Sequence, residues 1–226
     1  MKEKIVRLLS EGSSDHALIP ILTWILEKNA NTNCSLDFKR IDLSGVRTQN
    51  ILKKPTKEKK KISPLGRKLI TALLREPCDL LFIHRDADKV GRKKRIEEIN
   101  KAWEEAKKEI EKIPLFISVI PVKMSEAWLL VDEQAIRKAA GNESGKIPLT
   151  LPKIGKLEEL SNPKKKLFDL LKKASGKKGR NLEKFNCRTA RTQVTEHIKD
   201  FSPLQELSAF KALKEDILEL KNKAGF

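Results

Sequence analysis

The spacing of apolar residues alternates between strand-like and helix-like over about the first 140 positions. Short apolar runs predict strands, and they are KIVRLLS at 4–10, SLDFKRIDL at 35–43, CDLLFIH at 78–84 and LFISVIPV at 115–122. Between these runs, apolar residues recur at helical spacing, as in HALIPILTWILEKN and SPLGRKLITALLRE. Strands that alternate with helices in this way predict an α/β fold with a mostly parallel central sheet of about four strands, flanked by helices.

The pattern changes near residue 150, beyond which it predicts helices only, interrupted by PKIG, NPKKK and SGKKGR. Just before this change, SEAWLLVDEQAIRKAAG predicts one helix that ends at Gly141. We therefore divide the chain into an α/β domain at 1–145 and a basic helical C-terminal extension at 146–226 that packs on it.

The formal charge of +17 is concentrated in two segments. Residues 47–75 hold ten basic and one acidic side chain, and residues 153–191 hold thirteen and four, so each segment carries +9 and the remainder −1. Concentrated positive charge is typical of surfaces that bind a phosphate backbone, although a solvated lysine-rich loop has the same composition. Neither segment pairs its charge with a bulky apolar helix face, which argues against membrane binding.

Several functional classes are excluded by what the sequence lacks. The three cysteines are far apart and have no CxxC or Cys/His spacing, which favours reduced thiols in a cytoplasmic protein over disulfides or zinc. No apolar run has the length of a membrane span or of a signal-peptide core. The absence of tyrosine excludes a phosphotyrosyl intermediate. No GxxxxGK[ST] or GxGxxG follows the first strand, so we expect no nucleotide site of this chain's own.

Acidic residues follow three of the predicted strands. Glu11 follows the first strand, Asp86 and Asp88 follow the third, and Glu126 lies just beyond the fourth. Because the carboxyl ends of parallel strands share one edge of the sheet, we expect these carboxylates to converge. Converging carboxylates repel one another unless cations are present, and hard oxygen ligands suit Mg²⁺ or Mn²⁺. The sequence therefore predicts a divalent metal site.

The segments EGSSD and DADKVG resemble the two signature motifs of the Toprim domain. The match consists of Glu11, Gly12, Asp86, Asp88 and Gly91, and the order of elements agrees over about residues 1–140. The chain is also similar to small standalone Toprim-like proteins encoded beside ABC-type or AAA-type ATPases in prokaryotic defence loci. That similarity lies in VKMSEAWLLVD and in SPLQELSAFKALKEDI.

The resemblance implies roles for the acidic residues. Glu11 would act as general base or metal ligand, Asp86 and Asp88 would be the principal Mg²⁺ ligands, and Glu126 would complete a second metal site. Two such ions could activate a water molecule and stabilise the leaving 3′-oxygen in phosphodiester hydrolysis. Whether Asp15 joins this site or only caps a helix is left open, and His84 is expected to point into a helix layer.

Basic residues near the acids and in the two basic segments are candidates for binding nucleic acid. Lys123 flanks the acids as a catalytic candidate that would neutralise charge on the phosphate. The candidates for binding nucleic acid are Arg85, Lys89, Arg92, Lys53, Lys54, Arg180, Arg188 and Arg191.

We therefore expect a cytoplasmic, Mg²⁺-dependent Toprim nuclease that hydrolyses DNA or RNA. The resemblance implies an effector of antiviral defence that works with an ATPase partner, and leaves open whether it acts as a homodimer. One alternative is a ribonuclease that processes a structured RNA. Another is a non-catalytic Toprim-like subunit that binds nucleic acid or an ATPase.

Overall fold

A four-stranded parallel sheet forms the centre of the protein in the computed structural model, which describes residues 3–29, 35–46 and 62–224. The strands are β1 (Glu3–Leu9), β2 (Ser35–Arg40), β3 (Leu80–His84) and β4 (Leu115–Val119), in the order β2-β1-β3-β4. All neighbouring pairs are parallel. The predicted α/β fold with a parallel sheet flanked by helices is confirmed.

Helices account for most of the remaining described residues. The α-helices are α1 (Ile19–Asn29), α2 (Pro64–Arg75), α3 (Arg92–Lys107), α4 (Glu133–Ala139), α5 (Pro163–Ser175), α6 (Gly179–Glu183), α7 (Cys187–His197) and α8 (Ser208–Ala224). Short 3₁₀ helices span Ser13–Leu18, Ser125–Leu129, Ile154–Glu159 and Ser202–Glu206. Within the described part of the chain, no helix has the length and apolar character needed to span a membrane.

The helix predicted for residues 125–141 is two helices in the structure. The Ser125–Leu129 3₁₀ helix ends before Asp132, whose side chain accepts a hydrogen bond from the backbone N–H of Ala135 at 3.0 Å. That bond caps the N-terminus of α4, so a second helix begins where the apolar periodicity continues without a break. Helix α2 begins with a cap of the same kind, because the Ser63 hydroxyl accepts from the N–H of Gly66 at 3.0 Å.

The sheet is covered on both faces, which is why every residue of β3 is buried. Leu81 and Ile83 belong to an apolar cluster with α2 and α3, whereas Leu80 and Phe82 belong to one with α1 and the later helices. The chain thus leaves β1 through α1 on one face and returns through α2 and α3 on the other. In an open parallel sheet this reversal makes the boundary between β1 and β3 the topological switch point, where ligand sites form.

The helices after residue 150 join the apolar cluster on the α1 face. The ring of Phe210 meets the ring of Trp128 edge to face, with the centroids 5.5 Å apart, and Phe201 meets Trp24 in the same manner at 6.0 Å. One apolar cluster therefore extends across the proposed boundary at residue 145, and the division into two domains stays a prediction.

Removing the Phe210 ring should uncouple α8 from this cluster. Phe210 is fully buried, so Phe210→Ala should lower the free energy of unfolding by about 3–5 kcal/mol. Urea unfolding followed by circular dichroism measures this change. Leu74→Ala, at a half-exposed position of α2, should cost less than about 0.5 kcal/mol. Equal losses in the two variants would contradict the packing described here.

Candidate site at the carboxyl edge of the sheet

Two of the predicted acidic motifs lie next to each other at the switch point. β1 and β3 are hydrogen-bonded neighbours, with Leu9 opposite Ile83. Glu11 follows β1 and Asp86 follows β3, so both lie at the carboxyl edge of the sheet. The structure therefore brings together Glu11 and the DADKVG segment.

The backbone of the DADKVG segment turns sharply into α3. Asp88 has a φ of 40°, the left-handed region that is uncommon for residues other than glycine. Gly91 has a φ of 85° and a ψ of 151° at the N-cap of α3, a conformation that is essentially restricted to glycine. The conformation explains the glycine of this motif, and the turn leaves the Asp88 side chain exposed to solvent.

His84 lies between two carboxylates at the end of β3. Its Nε2 is 3.2 Å from Oδ1 of Asp86, and its Nδ1 is 3.3 Å from Oδ2 of Asp15. The side chain of His84 is 1% exposed. His84 contacts Asp15 within the Ser13–Leu18 helix, as expected for a side chain that points into a helix layer, and it also contacts Asp86 of the motif segment. Asp15 belongs to this cluster and also accepts from the N–H of Gly12 at 2.9 Å.

The two carboxylates determine the charge of the buried imidazole. Burial alone would lower the pKa of His84, but Asp15 and Asp86 outweigh it and raise the pKa to about 9. Burial also opposes ionisation of Asp15, yet His84, the N–H of Gly12 and the nearby charge of Arg191 together lower the pKa of this carboxyl. At neutral pH the cluster therefore holds an imidazolium between two carboxylates.

Arginine side chains hold the acids of the two motifs in place. Nε of Arg85 contacts Oε1 of Glu11, and Nη2 of Arg85 is 3.5 Å from Glu98 of α3. Arg95 donates to the backbone oxygen of Asp86 at 3.0 Å and also pairs with Glu98. Arg85 is therefore at the site, as predicted, where its charge lies beside Glu11.

Lys68 is a site residue that the sequence reasoning missed. Its Nζ donates to the backbone oxygen of Ser10 at 2.5 Å, and burial lowers its pKa. Lys68 lines a cavity of about 150 Å³ together with Glu11, His84 and Arg85. The order of elements could have indicated Lys68. Helix α2 follows β2 in the chain, so the first turns of α2, which include Lys68, lie at the carboxyl edge of the sheet.

Glu126 is buried away from solvent and is paired with an arginine from α7. It is 4% exposed, as is Arg191, and Nη1 of Arg191 is 2.5 Å from Oε1 of Glu126. Arg191, predicted to contact nucleic acid together with Arg180 and Arg188, instead lies in the interior. Helix α7 holds it there by packing against the Ser13–Leu18 and Ser125–Leu129 segments.

The other predicted basic residues are distributed over different surfaces. Nη2 of Arg92 is 3.8 Å from Asp216 of α8, whereas Lys89 is exposed and Lys123 is half-buried near the carboxyl edge. Arg180 and Arg188 are exposed, and Arg188 lines an open groove of about 830 Å³ with His16 and Arg40. Lys53 and Lys54 lie outside the described residues.

The donor atoms at this edge are compatible with a hydrated Mg²⁺ ion. Among the described residues, no three acidic, histidine or cysteine side chains are grouped closely enough to enclose a metal. One oxygen of Asp86 contacts His84, and the carboxylates of Glu11 and Asp88 remain accessible to solvent. Mg²⁺ commonly binds one or two carboxylates and keeps water or phosphate oxygens in its other positions, so this donor set suits it.

The sheet order and the position of the site define an α/β protein with a Rossmann-like fold and a charged site at its switch point. Comparisons of the chain with protein-family models, with curated proteins and with solved structures found no match.

The charge of His84 should make stability depend on pH. The pKa of His84 is about 9 in the folded protein and 6.5 in an unstructured chain. The charged ring therefore adds its full contribution to the free energy of unfolding below pH 6.5, and this contribution is lost as the pH rises through about 9. The difference between the two pKa values corresponds to roughly 3 kcal/mol of stability. Urea unfolding in EDTA between pH 6 and pH 9.5 measures it.

His84→Gln provides the control, because it cannot carry the charge. We expect the variant to be less stable than the wild type at pH 6 and the two stabilities to converge towards pH 9.5. A constant difference across this range would contradict an imidazolium at position 84.

Proposed function

We propose that this protein is a Mg²⁺-dependent nuclease that hydrolyses phosphodiester bonds in nucleic acid. The observation that carries the proposal is that Glu11 and Asp86 follow neighbouring strands at the switch point, with the cationic side chains of Lys68 and Arg85 beside Glu11. Acidic side chains suit a divalent cation, and cationic side chains suit the phosphate to which that cation would bind. Phosphoryl transfer depends mainly on positioning and charge stabilisation, which such a set supplies.

In this proposal Asp86 is the principal metal ligand, and Asp88 and Glu11 complete the acidic set. When bound, the ion would act as a Lewis acid on the phosphate and on the attacking water. Two residues orient Asp86. His84 contacts its carboxylate oxygen Oδ1, and Arg95 donates to its backbone oxygen. Glu11 is accessible to solvent and is the carboxylate we assign as acceptor of the proton from water.

Lys68 and Arg85 hold the phosphate in this proposal. Both line the small cavity beside Glu11, and both are cations that donate hydrogen bonds. Lys123, the catalytic lysine expected from the sequence, is half-buried near this edge, and we keep it as a further candidate for charge neutralisation. The proposal that Arg188 contacts nucleic acid is supported by its place in the open groove with His16 and Arg40.

The contact between Glu11 and Arg85 favours a second candidate, a non-catalytic subunit that binds nucleic acid or an ATPase. A glutamate already neutralised by an arginine is a poor proton acceptor until the pair separates. A role in antiviral defence, an ATPase partner and a preference for structured RNA are supported by the sequence resemblance alone, and a cytoplasmic location is supported by the cysteine spacing alone.

Replacing Asp86 should abolish cleavage. The purified full-length protein is incubated with plasmid DNA, single-stranded DNA and total RNA, with Mg²⁺ or Mn²⁺ and with EDTA. We expect metal-dependent cleavage of at least one substrate and a loss of at least about 100-fold in Asp86→Asn, because the amide cannot supply the ligand charge.

Glu97→Gln is the matched control, since it removes one exposed carboxylate of α3 that takes part in none of the site contacts described above. It should cleave at the wild-type rate. Equal cleavage by Asp86→Asn and the wild type would overturn the proposed site. Salt-sensitive binding without cleavage of any substrate would instead support the non-catalytic candidate.

A further inference from the structure

Helix α7 places a buried cation next to Glu126. Nη1 of Arg191 binds Oε1 of Glu126 at 2.5 Å, and the charge of Arg191 also acts on Asp15. Asp15 and Asp86 contact the two nitrogens of His84 at 3.3 Å and 3.2 Å. Arg191 is therefore linked to the motif residue Asp86 through Asp15 and His84.

The pairing leaves Glu126 without the freedom that a metal ligand requires. Both members of the Glu126–Arg191 pair are buried, and removing one partner of a buried pair leaves the other as an uncompensated charge. To bind a metal ion, Glu126 would have to leave a guanidinium that is charged at every accessible pH. The same cation compensates Asp15, which already accepts from Gly12 and contacts His84.

We propose that Arg191 takes the electrostatic place of a second metal ion, so that the site binds one divalent cation at Asp86 and Glu126 is not a ligand. Arg191 is thus a positioning residue, which acts through Asp15 and His84. This inference rests on the proposed function, which supplies the reason to expect one bound divalent cation. It replaces the two-metal arrangement that the Toprim resemblance implies.

Counting the bound cations tests the inference without measuring cleavage. Electron paramagnetic resonance of Mn²⁺ titrated into the full-length protein distinguishes free from bound ions. The titration is done alone and with a phosphorothioate oligonucleotide that resists cleavage. We expect one Mn²⁺ per chain in both titrations. Two ions would overturn the inference and leave the proposed function standing, whereas no bound ion would overturn both.

Variants of the acidic residues assign the ion to its ligand. Glu126→Gln should keep one Mn²⁺ with unchanged affinity, and Asp86→Asn should weaken binding at least about tenfold. Loss of Mn²⁺ binding in a folded Glu126→Gln variant would overturn the inference. Since Glu126→Gln removes the acidic partner of Arg191, thermal unfolding verifies the fold of this variant. The double variant Glu126→Gln with Arg191→Met removes both charges of the pair and should also bind one ion.

Replacing Arg191 alone should create a second cation site. In Arg191→Met, Glu126 and Asp15 lose their common cation, so we expect the number of bound Mn²⁺ ions to rise from one to two. Arg191→Lys keeps the charge and should bind one ion. A stoichiometry of one in a folded Arg191→Met variant would overturn the inference, because a residue with a purely structural role would leave this number unchanged.

Discussion

The ion pairs of His84 are the interaction on which the carboxyl edge of the sheet depends. Asp15 follows β1 and Asp86 follows β3, and both would carry negative charge close together at the switch point. The imidazolium between them, which is itself almost fully buried, neutralises this repulsion. It also fixes the relative position of the two motif segments, since one rigid ring contacts a carboxylate from each.

The position of the motifs could be predicted from the sequence because a parallel sheet has a simple geometry. Residues that directly follow apolar strands must lie at one edge, which places Glu11 and Asp86 without knowledge of any contact. The glycine of DADKVG is explained by the backbone conformation alone, because the turn into α3 requires a positive φ at Gly91. The backbone at Gly12 is extended, so the turn itself does not require glycine there.

The partners of the site residues could not be predicted, because they come from distant parts of the chain. In a strand buried on both faces, alternation does not reveal which polar groups the last side chain contacts, so Asp15 and Asp86 could not be predicted as the partners of His84. Arg188 and Arg191 illustrate the same limit. Residues three positions apart lie only about 60° from each other around a helix, and packing alone decides that one is exposed and the other buried.

The buried charges also change how the C-terminal helices are understood. A strongly basic segment suggests a surface that binds phosphate, yet Arg191 belongs to that segment and compensates acids in the interior. Because α7 carries this cation to the segments that follow β1 and β4, displacement of α7 would leave Glu126 without its ion-pair partner and would remove a cation that acts on Asp15. Asp15 would then depend on His84 and the N–H of Gly12 alone for its compensation. The electrostatic state of the sheet edge thus depends on the docking of a helix more than 100 residues further along the chain.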